Sequence, residues 1–362
     1  MRTKGWTLGI IVLASLAFVA VALALVAAPA NATITGTPLP SYGNDWDIDR
    51  DTTVLGESIK LQGNINVEPG NTLKIRNTDV NFNSSFMGEH GILVDSNTSA
   101  GDGVVELDDC TIRSDYGPYG WFFEVWGGLN ITKARLHDVE DGIWIYSDNV
   151  NIMNMTLYAQ GRYGMNIING DPTIRDSTIY AKGYIGSHVT GIKLYGSSSD
   201  RAAPTFSGVT VKVYRNDDIE STSSSTYVDF MMTGFDCYYG QFSKLEGITL
   251  SFEATADVMV DYSAPRVYAH FDVVGFYFGG GTILGGLDVE ITDSTYFVDA
   301  NAKNANAGTL YMYSYFSSLN NYISSSGESP AVFTGLTVKN QRMTWDGNQI
   351  FTERLYRSGS GF

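Results

Sequence analysis

Cysteine is nearly missing, with two residues in 362. That excludes a disulfide-built scaffold and a cysteine-ligated metal centre. Histidine is as scarce, and His90, His137, His188 and His270 show no metal-ligand spacing. There is no Gly-x-Ser-x-Gly elbow and no phosphate-binding glycine loop. No residue pattern argues for an enzyme, and the question stays open at this level. Positive charge is short: 23 Lys and Arg stand against 39 Asp and Glu, a net charge of −16. This argues against nucleic acid or an anionic membrane surface as partner and suits an exposed, soluble or cation-binding protein. Long apolar stretches with a period of 3.6 are absent after residue 30, which excludes a mainly helical fold.

What is present is repetition. One unit is Gly followed by alternating apolar residues, as in Gly91-Ile92-Leu93-Val94, Gly142-Ile143-Trp144-Ile145, Gly164-Met165-Asn166-Ile167, Gly191-Ile192-Lys193-Leu194 and Gly234-Phe235-Asp236-Cys237. The other ends in Thr and a branched apolar residue, as in Cys110-Thr111-Ile112, Met155-Thr156-Leu157, Ser177-Thr178-Ile179, Val209-Thr210-Val211 and Ile248-Thr249-Leu250. Period-two alternation rich in Thr, Val, Ile and Tyr means strands, and a repeat of 20 to 50 residues means a solenoid. Leu157 to Ile179, one full turn, takes 22 residues. Later turns lengthen to about 40 residues, through insertions expected as surface loops at 113–121, 197–204, 214–230, 253–272, 293–307 and 314–330.

The predicted fold class is all-β: a single-stranded parallel β-helix of about eight or nine coils, with an N-terminal cap and long insertions, right-handed by the resemblance given below. Equivalent positions of successive coils should lie above one another. One core column would hold Ile143, Met165, Ile192, Phe235 and Phe276. A second would run from Ile112 through Leu136, Leu157, Ile179, Val211, Leu250 and Ile291 to Val338. Cys110 and Cys237 then point inward about four coils apart, roughly 19 Å at one strand spacing per coil, beyond bridging distance.

Four segments are expected. Residues 1–32 carry basic Arg2 and Lys4, an apolar stretch from Trp6 to Ala28 and an Ala30-Asn31-Ala32 cleavage pattern. They read as a signal peptide or, because the apolar stretch is long, a retained membrane anchor. Cleavage removes two cations and leaves a chain of about −18. Residues 33–62 form a leading segment and N-terminal cap, 63–340 the β-helix, and 341–362 a C-terminal cap or docking tail.

Leu61-Gln62-Gly63-Asn64-Ile65-Asn66-Val67-Glu68-Pro69-Gly70-Asn71-Thr72-Leu73, following Trp46, resembles the opening of archaeal secreted cell-surface β-helix proteins. The Gly-Ile and Asn/Asp-x-Thr-Ile strands resemble the repeats of pectate-lyase-like and NosD-like solenoids. The resemblance covers 46–340. It implies the right-handed helix but not one function, because the fold hosts lyases, hydrolases, adhesins and structural proteins.

Candidate sites follow from the columns. Tyr146, Tyr195, Tyr238 and Tyr313 read as equivalent outward positions, with Trp144, Tyr239, Tyr277 and Tyr311 beside them. Such an aromatic strip suits sugar stacking or subunit packing. The outward positions Trp144, Asn166, Lys193, Asp236 and Tyr277 place one acid beside one base, expected as a cross-coil ion pair. Asp45, Asp47, Asp49 and Asp51 alternate, so an extended strand would set all four on one face and suit Ca²⁺. The alternative is an acidic edge that discourages strand pairing. Asp108-Asp109, Asp138 with Asp141, and Asp217-Asp218 read as turn residues. Asn83, Asn97, Asn130 and Asn154 begin N-glycosylation sequons.

These features point to a secreted, non-catalytic structural protein of the cell surface, a sheath, surface-layer or filament subunit that self-associates through its β-helix. The alternatives are a carbohydrate-binding adhesin and a polysaccharide lyase or hydrolase. The expected partners are further copies of the chain, the basic tail docking on the acidic cap, and cell-surface glycans. Nucleic acid is not expected, and a membrane only if the N-terminal segment is retained. No cofactor is expected beyond Ca²⁺.

Overall fold

A computed structural model describes residues 33–282, except 57, 116–118, 185, 243–244, 262–265 and 280–281, and beyond them strand backbone as far as 358. Every regular element among these residues is a strand. The strands stack in three parallel columns. The first face runs from Thr52–Leu55 through Thr72–Arg76, Val150–Met153 and Thr173–Arg175 to Thr205–Ser207. The second runs from Ser58–Leu61 through Asp79–Phe82, Met155–Gln160 and Thr178–Lys182 to Thr210–Ser221. The third runs from Trp46–Ile48 through Ile65–Val67, Gly91–Val94, Trp121–Val125, Tyr163–Ile168 and His188–Tyr195 to Ser225–Tyr238 and Arg266–Gly279. Gly128–Ile145 turns two corners and joins all three faces, so they form one 28-stranded sheet.

Alternation decides which side chains point in. Ile143, Met165, Ile192, Phe235 and Phe276 are in register and buried, as the spacing predicts. So are Ile112, Leu136, Leu157, Ile179, Val211 and Leu250, with Ile291 and Val338 continuing the register. Each fully buried side chain of this size contributes about 1.5–3 kcal/mol. Cys110 and Cys237 are free and buried, on different faces. Burial and nearby aspartates push the Cys110 thiol up to about 12.

The corner between the first and second faces is one or two residues wide. Asn77, Asp109, Asn154, Asp176, Gly208 and Gly247 turn it with positive φ in six coils, the coil of Gly128–Ile145 turning it without one. Only Gly, Asn and Asp visit that region readily, which explains the Asn/Asp-x-Thr pattern. The Gly of the Gly-Ile unit has a different cause: a Cβ on Gly191 would lie 2.3 Å from Val211 Cγ1.

Pairing extends the stack beyond 63–340 at both ends. Residues 46–61 already form a coil, and Thr33–Thr35 covers its first face as an antiparallel edge strand. Trp46 and Ile48 point inward between the aspartates, whose alternation hides a core strand in an acidic run. Gln341–Asp346 and Ile350–Ser358 add parallel strands at the far end, where a cap or tail was expected.

Four expected insertions prove to be wholly or partly sheet: 293–307 carries Ser294–Ala302, and 314–321 lies in Thr309–Asn321. Residues 214–230 and 253–272 largely extend the second and third faces as Thr210–Ser221, Ser225–Tyr238, Leu245–Val260 and Arg266–Gly279, paired in unbroken register over most of their length. Val213, Phe252, Ala254 and Val258 face inward from the second face, Val228, Phe230 and Met232 from the third. Asp217 is no turn residue. It is fully buried and receives Arg215 through Nε at 2.9 Å and Nη2 at 2.5 Å. Arg215 Nη1 also donates to the carbonyls of Ser187 and Asp229, and its guanidinium lies 4.8 Å from the Phe230 ring centre. The coil below is narrow, so a polar plug meets the carbonyls left at the step.

Candidate functional site

The corner between the third and first faces carries the aromatic column. Ile168, Tyr195 and Tyr238 are in register in successive coils. Trp126 and Tyr146 continue the column below, each following the strands that pair Val125 with Ile145. Tyr313 does not belong to it. It pairs with His270 on the widened part, Tyr311 pairs with Tyr268, and Gly279 takes the position above Tyr238. The lengthened strands shifted the residue count from which Tyr313 was placed.

Trp126 and Tyr146 stack with ring centres 3.8 Å apart and planes within 3°. Trp126 is 45% exposed and Tyr195 51%. Against the stacked pair opens a groove of about 460 Å³, also lined by Ile168, Asn169, Asp148 and Asp200. Asn169 turns the chain out of its strand with φ 53°, and its amide donates to the Tyr195 carbonyl at 2.8 Å. Asp148 accepts the amide of Asp171 at 3.0 Å, and Asp171 accepts that of Ala203. Burial, then the charges of Asp148 and Asp200, raise Asp171 above the usual carboxylate range. Arg201, the nearby cation, has its guanidinium 6.0 Å from the Tyr239 ring centre. Trp126 was missed in the sequence because no Gly-apolar unit precedes it. Its place one residue past Val125, as Tyr146 is past Ile145, was the available signal.

Two residues earlier in the same strands runs the second outward row: Glu124, Trp144, Asn166, Lys193, Asp236 and Tyr277. Trp144 and Tyr146 connect the rows, ring centres 6.3 Å apart. The expected Lys193–Asp236 ion pair does not form. Lys193 Nζ donates to the Tyr163 hydroxyl at 3.3 Å and lies 5.0 Å from that ring's centre. Asp236 Oδ1 and Asn166 Oδ1 are buried with no hydrogen-bond partner among the described residues, and Asn166 is only 4% exposed. Burial holds Asp236 above the usual range, opposed by Lys193 and His188. Tyr238 and Tyr277 join through their hydroxyls at 3.1 Å.

The four N-terminal aspartates do not converge. Asp45 accepts the amide of Asn64, Asp47 the side-chain amide of Asn66, and Asp51 the amide of Thr72, all from the next coil. Asp49 binds the Thr37 hydroxyl and pairs with Arg50, which together lower it to about 2. The strand ends at Ile48, so the alternation does not carry past a turn. Among the described residues no three His, Cys, Asp or Glu side chains could hold a metal ion together.

Of the sequons, Asn83 is half-buried and its amide donates to the Tyr42 hydroxyl. Asn97 is exposed and its Oδ1 accepts both the amide and the hydroxyl of Ser99. Asn130 is exposed on the first face, and Asn154 is an exposed corner residue with φ 53°. The fold alone therefore accounts for Asn154-Met155-Thr156: the corner asks for Asn, Asp or Gly, and the outward ladder supplies Thr. A further stack of His137, Tyr158 and Tyr180 lies on the second face with ring centres 4.5 and 4.6 Å apart.

Residues 63–235 match the family model described as a right handed beta helix region. The chain is a β-helix repeat protein. No curated protein and no solved structure matches it. The family match takes in the first long strand of the widened part, Thr210–Ser221, and ends within Ser225–Tyr238. The aromatic groove lies wholly inside the matched residues.

Proposed function

We propose that this β-helix is a secreted, non-catalytic carbohydrate-binding protein of the cell surface. The observation that carries the reading is the open groove walled by the Trp126–Tyr146 pair. Aromatic rings with exposed faces stack on sugars at little entropy cost, and neighbouring polar side chains orient the hydroxyls. The column from Trp126 to Tyr238 spans four coil steps, roughly 19 Å at one strand spacing each, enough for an oligosaccharide to lie along it. Secretion rests on the N-terminal segment and the acidic, Asn- and Thr-rich composition.

Self-association as a sheath or filament subunit is the second reading. Tyr227, 72% exposed and stacked on Tyr268, and exposed Met231 favour it, because they leave apolar surface on the widened part, on either side of the Asp229–His270 pair. Docking of the basic tail on Asp45 to Asp51 has less support, since those carboxylates already serve their own coils. A glycan array followed by calorimetry tests the main reading. Wild type should bind an oligosaccharide, and Trp126→Ala should weaken it by at least about tenfold. Binding that ignores Trp126 and Tyr195 overturns it. Concentration-dependent growth of the particle in light scattering, abolished by Tyr227→Ser, would favour self-association instead.

A further inference from the structure

The groove is not neutral. Asp148 and Asp200 line it, and Asp171 stands close enough for both of their charges to hold its own carboxyl up. Arg201, the cation beside it, is engaged over Tyr239. The adjoining row contributes hydrogen-bond acceptors that find no partner among the described residues: Asn166 Oδ1, on a side chain almost wholly buried two residues before Ile168, and Asp236 Oδ1. Buried acceptors without partners are rare in folded proteins and call for a donor from outside the chain. Lys193, the cation of that row, is turned onto Tyr163. The outer surface of the third face thus combines aromatic faces and carboxylates, with the spare acceptors buried just beneath. Aromatic faces and carboxylates both favour a cation, and spare acceptors favour N–H and O–H donors.

We propose that the ligand of this face is a glycan bearing free amino groups, a hexosamine polymer whose ammonium groups meet Asp148 and Asp200 beside the Trp126–Tyr146 platform. This rests on the carbohydrate-binding reading and narrows it to one charge class. Uronic acid polymers are disfavoured by the same carboxylates. N-acetylated sugars retain the stacking and lose the charge.

The test is calorimetric titration of the full chain with three oligomers of equal length: β-1,4-linked glucosamine, its fully N-acetylated counterpart, and galacturonic acid. The glucosamine oligomer should bind about tenfold tighter than the acetylated one at low salt, and the advantage should shrink as salt screens the charges. The Asp148→Asn, Asp200→Asn double variant keeps both side chains' shape and one acceptor oxygen on each. It should lose the advantage for the amine and bind the two oligomers alike. Trp126→Ala should weaken both. Equal binding of amine and acetylated oligomers, a preference for the uronic acid, or a double variant that keeps the preference overturns the inference and leaves carbohydrate binding standing. Failure of all three oligomers to bind overturns the reading beneath it as well.

Discussion

The narrow coils before residue 196 and the wide coils from 205 to 279 solve the same packing problem differently. A narrow coil closes three short strands around aliphatic side chains such as Ile143, Leu157 and Ile174, and its inner positions are almost uniformly apolar. A wide coil runs Thr210–Ser221 out along the second face and returns as Ser225–Tyr238, so its outer half is two facing layers. Where wide meets narrow, the first long strand has only a turn beneath it. Arg215 and Asp217 fill that step, each almost wholly buried at 2% and 0% side-chain exposure. The contrast shows that a solenoid can change cross-section mid-stack only where something satisfies the backbone left at the ledge.

The largest effect is expected at that ledge. Arg215→Ala leaves a buried carboxylate unpaired and should cost about 3–5 kcal/mol. The replacement Arg215→Met with Asp217→Leu should recover much of the loss, read as the denaturation midpoint. Hydrogen exchange should rise across 210–260 while 46–175 stays protected. Uniform loss of protection over both regions would erase the distinction between them. Next in size is Gly191→Ala, in the narrow region, where the new methyl meets Val211 and the Gly234 carbonyl. Overpacking of this kind costs about 1–3 kcal/mol. A variant as stable as wild type in urea would mean the corner has slack.

A smaller effect is expected at the corner between the first and second faces. Asn154→Ala keeps a β-carbon at φ 53° but loses the short polar side chain that eases the left-handed region, and should cost about 1 kcal/mol, whereas Asn154→Gly should be close to neutral. Both remove the sequon, so equal destabilisation would point to a glycan and not to backbone conformation. The smallest effect concerns protonation of the outward row. Burial raises Asp236, so the folded chain holds that proton more tightly than the unfolded one. Its ionisation weakens the fold above the raised value, and the loss is recovered as pH falls toward the ordinary 3.8. Asp236→Asn should therefore raise Tm slightly at neutral pH, with the gain fading in acid. A gain that does not change with pH would assign it to something other than ionisation.

The fold was legible because its rules are local. Inward and outward positions alternate with period two, one corner favours Gly, Asn or Asp, and a glycine marks the other. Those rules placed Ile143 above Met165, Thr156 above Thr178, and both cysteines in the core. They failed where coil length changed. Tyr313 was assigned to the column of Tyr238 by counting residues, and lengthened strands put it above His270. They failed too where a charge pattern concealed a core strand, as Asp45, Asp47 and Asp49 concealed Trp46 and Ile48. Half of the candidate site was readable: Tyr146, Tyr195, Tyr238 and the outward row with Lys193 and Asp236. Trp126, Asp148 and Asp200 were not, because they follow three different strands or loops and only stacking brings them to one groove.

By itself, then, the sequence determined that this chain is a parallel β-helix with an apolar interior and an aromatic outer row, because those properties depend on neighbours two or about 22 residues away. The tertiary structure alone decided that Lys193 turns to Tyr163 and not to Asp236, that Arg215 and Asp217 seal the step, and that an acidic groove opens beside Trp126. These depend on how far each strand runs before it turns, and that is set by packing between coils, not within them.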